Sequence, residues 1–342
     1  MSRRTVISRR AMLQAIPATS LALGFARPAR ADLASLAEAA RREGSVTWYS
    51  SLVPGVNQGI VEAMRGRYGI DVRVLRLASG PLTQRYSAEA ESGKIAADVI
   101  MPASSGPFLA SALAKGWTVA PEAADLPAIT GGEFPRKWLR SADGAAIIQV
   151  LPWIYGYNEE LVARRGIKLP ADWPDLLHPS LRGQILVPDP AATDSYIQLW
   201  DFVLRSYGED YLRDLRKTEF RITESGAPNI QAVAAGEGAL GLPTIGSLVE
   251  GVAKVGAPVK ALIPAHTTGN EIAITLSRNA PKPNAAKLLV NFILSREGNM
   301  ILGGSPFEFS VYRTDLPAGY RSPDPNAVAQ SKDKIIALLK GK

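Results

Sequence analysis

The sequence predicts an α/β protein built of two similar halves, and three observations carry that prediction. A strand, a small polar loop and a helix follow one another three times between residues 46 and 115. The same order returns after residue 184. Between the two series lies the run 145–162, AAIIQVLPWIYGYNEELV, apolar and aromatic and interrupted by Pro152. Repeated strand–loop–helix units give parallel sheets with helices on their faces. A β-branched, aromatic run broken by proline reads as extended chain. Pro152 leaves a central ladder short of one N–H, so the break marks a strand leaving one sheet and entering another. The expected architecture is two α/β domains joined by crossing strands, with a ligand cleft between them.

Composition narrows the function. The chain has 342 residues, room for about two domains, and an ordinary 46% hydrophobic and 21% charged content. Its formal charge of +7 suggests a polyanion partner, but Arg3, Arg4, Arg9, Arg10, Arg27 and Arg30 fall within residues 1–31, which hold no acid. The rest carries 39 − 6 = 33 bases against 32 acids, a net charge of +1. No global field is left to bind nucleic acid. The absence of cysteine excludes disulfides, thiolate metal sites and a thiol nucleophile. Two histidines, His178 and His266, are little material for a metal centre or general base.

Residues 1–31 read as an export signal rather than as structure. Ser8-Arg9-Arg10-Ala11-Met12-Leu13 resembles the twin-arginine motif, residues 11–25 are moderately apolar, and Ala29-Arg30-Ala31 is a small-x-small cleavage site. The expectation is export in a folded state, cleavage after about Ala31 and residence in the periplasm.

In the first half, Asp32 is placed to cap a helix through about Glu43, with Gly44 ending it. Strands at 46–49, 71–75 and 97–101 are followed by Ser50-Ser51, Ser79-Gly80 and Ser104-Ser105, each at the start of a helix. Pro81 suits the first turn of the helix 81–92. In parallel sheets ligands bind beyond the carboxyl ends of the strands, and free N–H groups at helix starts favour a polar or anionic ligand there.

The second half repeats the plan. A turn-rich connector, 170–183, leads to a strand at 184–187 and a loop that delivers Thr193 to a helix start. A strand at 220–222 leads through Ser225 into a helix, and a strand at 239–242 ends at Pro243-Thr244. Strands at 259–263 and 306–313 are further candidate crossings, with a strand at 271–276, an amphipathic helix at 283–295 and a last helix at 326–339. The expected domains are 32–149 with 264–305, and 150–263 with 306–342.

No catalytic motif is visible: no phosphate loop with lysine, no nucleophile elbow, no metal-binding helix. Asp98 reads as a structural hydrogen-bonding group. No metal or cofactor is expected. The binding constellation expected from the loops is Ser50, Ser51, Ser79, Gly80, Ser104 and Ser105 from the first half. Thr193, Ser195, Tyr196, Ser225 and Asn229 face them from the second, with Trp153 and Tyr155 as cleft wall. Arg76, Arg85 and Arg221 are the nearest cations, available to pair with an anionic group.

Six segments resemble one family: VTWYSS at 46–51, ADVI at 97–100, YGYN at 155–158, DWPDLLHPSLRG at 172–183, AGEGALG at 235–241 and PNAAKLLVNFILSREG at 283–298. Together they are similar to periplasmic solute-binding proteins of bacterial ABC importers, in the group of ferric-iron and 2-aminoethylphosphonate binders. The resemblance implies the two-domain periplasmic-binding-protein fold of class II type, closure on a solute and delivery to a cognate inner-membrane permease. It implies a binding protein rather than an enzyme, acting as a monomer. Ferric-iron members place an adjacent tyrosine pair where this chain has Gly241-Leu242-Pro243-Thr244-Ile245. A ferric or iron-chelate receptor, and an enzyme on the same scaffold, stand as the alternatives.

Overall fold

The computed structural model describes residues 32–103, 106–303, 305–324 and 326–341. The expected export signal, and Ser104 and Ser105, lie outside the described residues. Among the described residues no helix is long and apolar enough to cross a membrane.

The chain opens as the βα pattern requires, with α1 (Leu33–Glu43), β1 (Ser45–Ser50), α2 (Pro54–Tyr68), β2 (Asp71–Arg76), α3 (Ser79–Glu91), β3 (Val99–Met101) and α4 (Gly106–Ala114). Gly44 ends α1 at φ +76°, a left-handed cap that glycine adopts without penalty. The proline-rich stretch that follows holds β4 (Thr118–Val119), α5 (Pro127–Thr130) and β5 (Leu139–Arg140), with 3-10 turns at Pro121–Ala124 and Arg136–Trp138. Then come β6 (Ala145–Pro152), β7 (Ile154–Asn158), α6 (Glu159–Arg165), β8 (Ile185–Pro188), α7 (Asp194–Lys217), β9 (Arg221–Thr223), α8 (Gly226–Ala234), β10 (Leu240–Thr244), α9 (Gly246–Ala253) and β11 (Val259–Leu262). The C-terminal part supplies β12 (His266–Thr267), β13 (Gly269–Ser277), α10 (Pro283–Leu294), α11 (Arg296–Met300), β14 (Phe309–Ser310), β15 (Gly319–Tyr320) and α12 (Ala327–Lys340).

Two main sheets result. The first runs β14-β6-β13-β3-β1-β2, with β4 beside β13 and β5 beside β6; the second runs β11-β7-β10-β8-β9. Each has a parallel core, β3-β1-β2 in one and β10-β8-β9 in the other. Antiparallel strands that come from the crossings are laid against these cores. Separate apolar clusters sit under the two sheets, one around Trp48, Ile60, Leu289 and Phe292, the other around Trp173, Leu199, Trp200 and Leu240. Each such side chain contributes about 1.5–3 kcal/mol by leaving water, so each sheet has its own reason to hold together and the two form distinct lobes.

The chain changes sheet at Trp153. Before it, β6 pairs with β13 and β14 in the first sheet; after it, β7 pairs with β10 and β11 in the second. Gly156 packs closely there: a Cβ would stand 2.3 Å from Ile230 Cδ1, so a larger residue would force that side chain to shift. Asn158 then starts α6, its Oδ1 accepting the Leu161 N–H at 2.9 Å. The return passage lies between β11 and β13.

The last passage departs from expectation. Residues 306–313 do not cross and stay. Phe307 reaches the second lobe, packing where a Cβ on Gly246 would stand 2.3 Å from its own Cβ. Two residues later Phe309 is back in the first sheet, paired with Val150 and buried in the first cluster. Only beyond Tyr320 does the chain leave for α12, whose Ile335 and Leu339 join the second core. Residues 309–320 therefore belong with the first lobe, contrary to the boundary expected at 305/306, because burial of Phe309, Val311 and Tyr312 holds them there.

Asp98 is the structural group it was read as. It is buried, and its carboxylate accepts the Thr47 and Lys282 N–H groups at 2.7 Å each, tying β1 to the start of α10. Burial raises its pKa above the usual carboxylate value, with the two N–H groups pulling the other way.

Candidate functional site

The small polar loops fall where the strands end. The Ser51 hydroxyl, just past β1, donates to the Met101 carbonyl at 3.0 Å. Ser79 opens α3, and its Oγ accepts the Ala103 N–H at 2.9 Å. One turn on, Thr83 donates to the Gly80 carbonyl at 2.9 Å. On the other lobe Thr193 caps α7, its Oγ1 accepting the Ser195 N–H. A cavity of about 520 Å³ lies between these groups. Ser51, Ser79, Gly80 and Thr83 line it from one side and Thr193, Asp194 and Ser195 from the other. Its floor holds Gln149 and Leu151 of β6, Asn270 and Ile272 of β13, and Glu308. Leu52, Val53 and Val56 give it an apolar edge.

Five of the residues nominated from sequence thus meet at one cavity: Ser51, Ser79, Gly80, Thr193 and Ser195. The others take different places. Ser50 is fully buried and donates to Asn57 Oδ1 at 2.7 Å, so it serves the turn behind the loop. Asn229 is fully buried and donates to Thr223 Oγ1 at 3.0 Å. Ser225 precedes α8, and neither it nor Thr244 lines the cavity.

The aromatic wall is a correction. Trp153 packs against Tyr196 with ring centroids 5.4 Å apart, and Tyr155 stands edge-on to Trp173 at 5.3 Å. All four rings are buried in the second core, so these aromatics fill a core as large apolar rings usually do. The cleft receives Gln149 and Leu151 from the same run instead. They precede the turn at Pro152–Trp153, which directs the following rings into the second lobe.

The missed residues left weak signals. Gln149 is the one polar side chain in the strand AAIIQVLP, and Thr83 lies one helical turn beyond Ser79. Asn270 and Glu308 reach the cleft through strand pairing distant in sequence, which no local pattern announces.

The cations near the loops are engaged elsewhere. Arg85 bonds Tyr49 and Glu89, Arg221 donates to the Glu237 carbonyl, and Arg76 Nε points to the Leu52 carbonyl at 3.4 Å. His178 bonds Ser180 in the connector, and His266 bonds Asp172 at the return crossing. Tyr155 and Tyr196, the tyrosines available to a ferric ion, do not line the cavity. Burial raises both phenol pKa values, Tyr155 strongly, which opposes the phenolate such an ion needs. Among the described residues no group of three or more His, Asp or Glu side chains is placed to hold a metal.

A larger hollow of about 720 Å³ lies on the first lobe, near Lys137, Arg296, Arg313 and Arg321. It involves one lobe only, and three of its cations lie over aromatic rings: Lys137 over Trp138, Arg296 over Tyr312 and Arg313 over Phe309. The cavity walled by both lobes is the better candidate, because only there can ligand contacts bias the lobes toward closure.

Two α/β lobes joined by crossing strands, with a polar cavity between them, define a receptor that encloses a small solute. The chain belongs to the family of bacterial extracellular solute-binding proteins, whose pattern matches residues 49–300. The fold of solved periplasmic binding proteins agrees. AfuA from Actinobacillus pleuropneumoniae, with fructose-6-phosphate bound, superposes with a TM-score of 0.60 at 20% identity, over 86% of this chain and 97% of that one. Iron-bound HitA from Pseudomonas aeruginosa gives 0.64 at 18%, over 87% and 98%. The ferric iron-binding protein A of Mannheimia haemolytica, in an open conformation, gives 0.67 at 15%, over 87% and 98%. An uncharacterized protein of Haemophilus influenzae is 33% identical over 153 residues, a match spanning 42% of this chain and 43% of that protein.

Proposed function

We propose that this protein captures a small polar solute in the cavity between its lobes and delivers it to a cognate inner-membrane permease. It acts in the periplasm after removal of residues 1–31, as a monomer and without chemical conversion of the solute. The observation that carries the reading is the cavity walled by Ser51 and Ser79 from one lobe and Thr193 and Ser195 from the other. Hydroxyls at strand and helix ends give directional contacts without filling the space. A solute that bonds both walls makes more contacts in the closed form and so favours closure.

Native mass spectrometry of the purified protein, with identification of any molecule released on denaturation, tests the reading directly. Thermal unfolding against a metabolite panel is the second measurement. A solute at a hundred times its dissociation constant adds about 2.7 kcal/mol, an upshift on the order of 5–10 °C. A protein that carries no solute and shifts with none is not a receptor of this kind.

A further inference from the structure

We infer that the hollow on the first lobe is a second ligand site, separate from the solute cleft, and that it takes a small multivalent anion, a polycarboxylate or a phosphate. Its volume of about 720 Å³ lies in the range of small-molecule sites, roughly 300–1,000 Å³. Strand β6 divides it from the cleft. Gln149 and Leu151 line the cleft, whereas Val150 between them lines the hollow. Glu308 and Phe309 divide in the same way. Successive side chains of a strand point to opposite faces, so an occupant of one site does not displace an occupant of the other.

The walls of the hollow carry four cations, Lys137, Arg296, Arg313 and Arg321, against one carboxylate, Glu133. Arg313 is committed: it pairs with Asp315 and donates to the Pro306 carbonyl at 3.0 Å. Glu133 accepts the Arg296 backbone N–H at 2.7 Å. Arg321 Nη1 donates to the Tyr320 carbonyl at 2.9 Å, a neutral acceptor that leaves its charge unbalanced. Four cations less Glu133 and Asp315 leave an excess of two positive charges. Two of the heads are held against rings. Lys137 Nζ lies 5.3 Å from the Trp138 centroid and the Arg296 guanidinium 4.8 Å from that of Tyr312. Charge already fixed on a wall loses less freedom when a ligand arrives.

A second, independent observation lies in the same wall. Trp138 lines the hollow and is only 7% exposed. Its indole N–H is buried and has no acceptor among the described residues. A buried donor without a partner is costly, and an anion oxygen seated against that ring supplies the acceptor.

The test is isothermal calorimetry of the purified protein in metal-free buffer with citrate, pyrophosphate and acetate. Citrate or pyrophosphate is expected to bind saturably, with affinity falling as salt rises, and acetate far more weakly. Lys137→Gln and Arg321→Gln, both at exposed positions, should each weaken the multivalent anion about tenfold, as loss of a charged hydrogen bond does. Trp138→Phe keeps an aromatic ring, removes the donor and should weaken it a few-fold. Unchanged thermal unfolding of the two charge variants shows that folding is not the cause. Equal affinity for acetate and citrate overturns the multivalent class. Anion affinity that holds in both charge variants overturns the second site, and a fall in Ser51→Ala then places the anion in the cleft. Absence of saturable binding of citrate and pyrophosphate overturns the inference outright and leaves the receptor reading standing.

Discussion

Thr267 holds the Trp153 carbonyl: its Oγ1 donates there at 2.8 Å, where the chain first changes sheet. The Trp153 N–H donates in turn to the Thr268 carbonyl at 2.9 Å. The outward crossing is thus bonded, on both sides of one residue, to the return crossing. Under the proposed closure, two passages fastened in this way bend together and confine the movement to a few residues.

Thr267→Val keeps the shape of the side chain and removes its donor, leaving a buried carbonyl without this partner. The expected cost is about 1–3 kcal/mol, read as a fall of several degrees in Tm at roughly 2–4 °C per kcal/mol. Thermal unfolding is the measurement; an unchanged Tm would mean that the bond contributes nothing to the hinge.

Ser51→Ala and Thr193→Ala test binding and stability together. Each removes one hydroxyl from the cleft and should weaken solute binding about 2- to 10-fold, the worth of one neutral hydrogen bond. Thr193→Ala should also lower stability by about 1 kcal/mol, because it removes the cap of α7, and Ser51→Ala by a similar amount, because it removes the bond to the Met101 carbonyl. Calorimetry and urea unfolding on the same preparations check both halves.

Asp98→Ala orphans two backbone N–H groups, those of Thr47 and Lys282. Each buried orphan costs about 1–3 kcal/mol, so a loss of about 2–6 kcal/mol is expected in chemical denaturation. Solute affinity should hold wherever the variant remains folded. A large change in affinity alone would give Asp98 a role in the site.

Tyr86 sets an alkaline limit. It is fully buried, donates to the Trp117 carbonyl at 2.9 Å, and burial pushes its pKa to about 12. The unfolded chain releases this proton near pH 10, so ionisation favours unfolding above that value. The stability contributed by the neutral phenol is whole below about pH 10 and is lost as pH rises to about 12, at about 1.4 kcal/mol per pH unit. Tyr86→Phe should begin about 1 kcal/mol less stable and fall less steeply over that interval. Urea unfolding at stepped pH gives the two slopes; parallel slopes would rule the tyrosine out.

Much of the fold was legible because the signals are local. The helix ending at Gly44, the strand leading to Ser51 and the break at Pro152 are each written within a few residues. The crossing at Trp153 followed from that break, but the direction of its rings did not. A buried aromatic looks the same in a cleft wall and in a core until its neighbours, here Trp173 and Tyr196, are placed. The cleft was half legible for a similar reason. Serines at strand ends declare themselves, whereas Gln149, Asn270 and Glu308 depend on the register of β6, β13 and β14. The brief reach of Phe307 to Gly246 is a contact between residues 61 positions apart, and no pattern in either segment predicts it.

The central place of β13 in the first sheet bears on how the protein is made. This strand, residues Gly269–Ser277, lies between β6 and β3. The first sheet therefore waits for a piece of chain that emerges only after every strand of the second main sheet. The second lobe waits longer, for α12 at Ala327–Lys340. Neither lobe matures alone on a growing chain, and the slow long-range pairings come last. A nascent chain stopped before residue 269 exposes one sheet with a gap at its centre. Synthesis, not only binding, joins the fates of the two lobes.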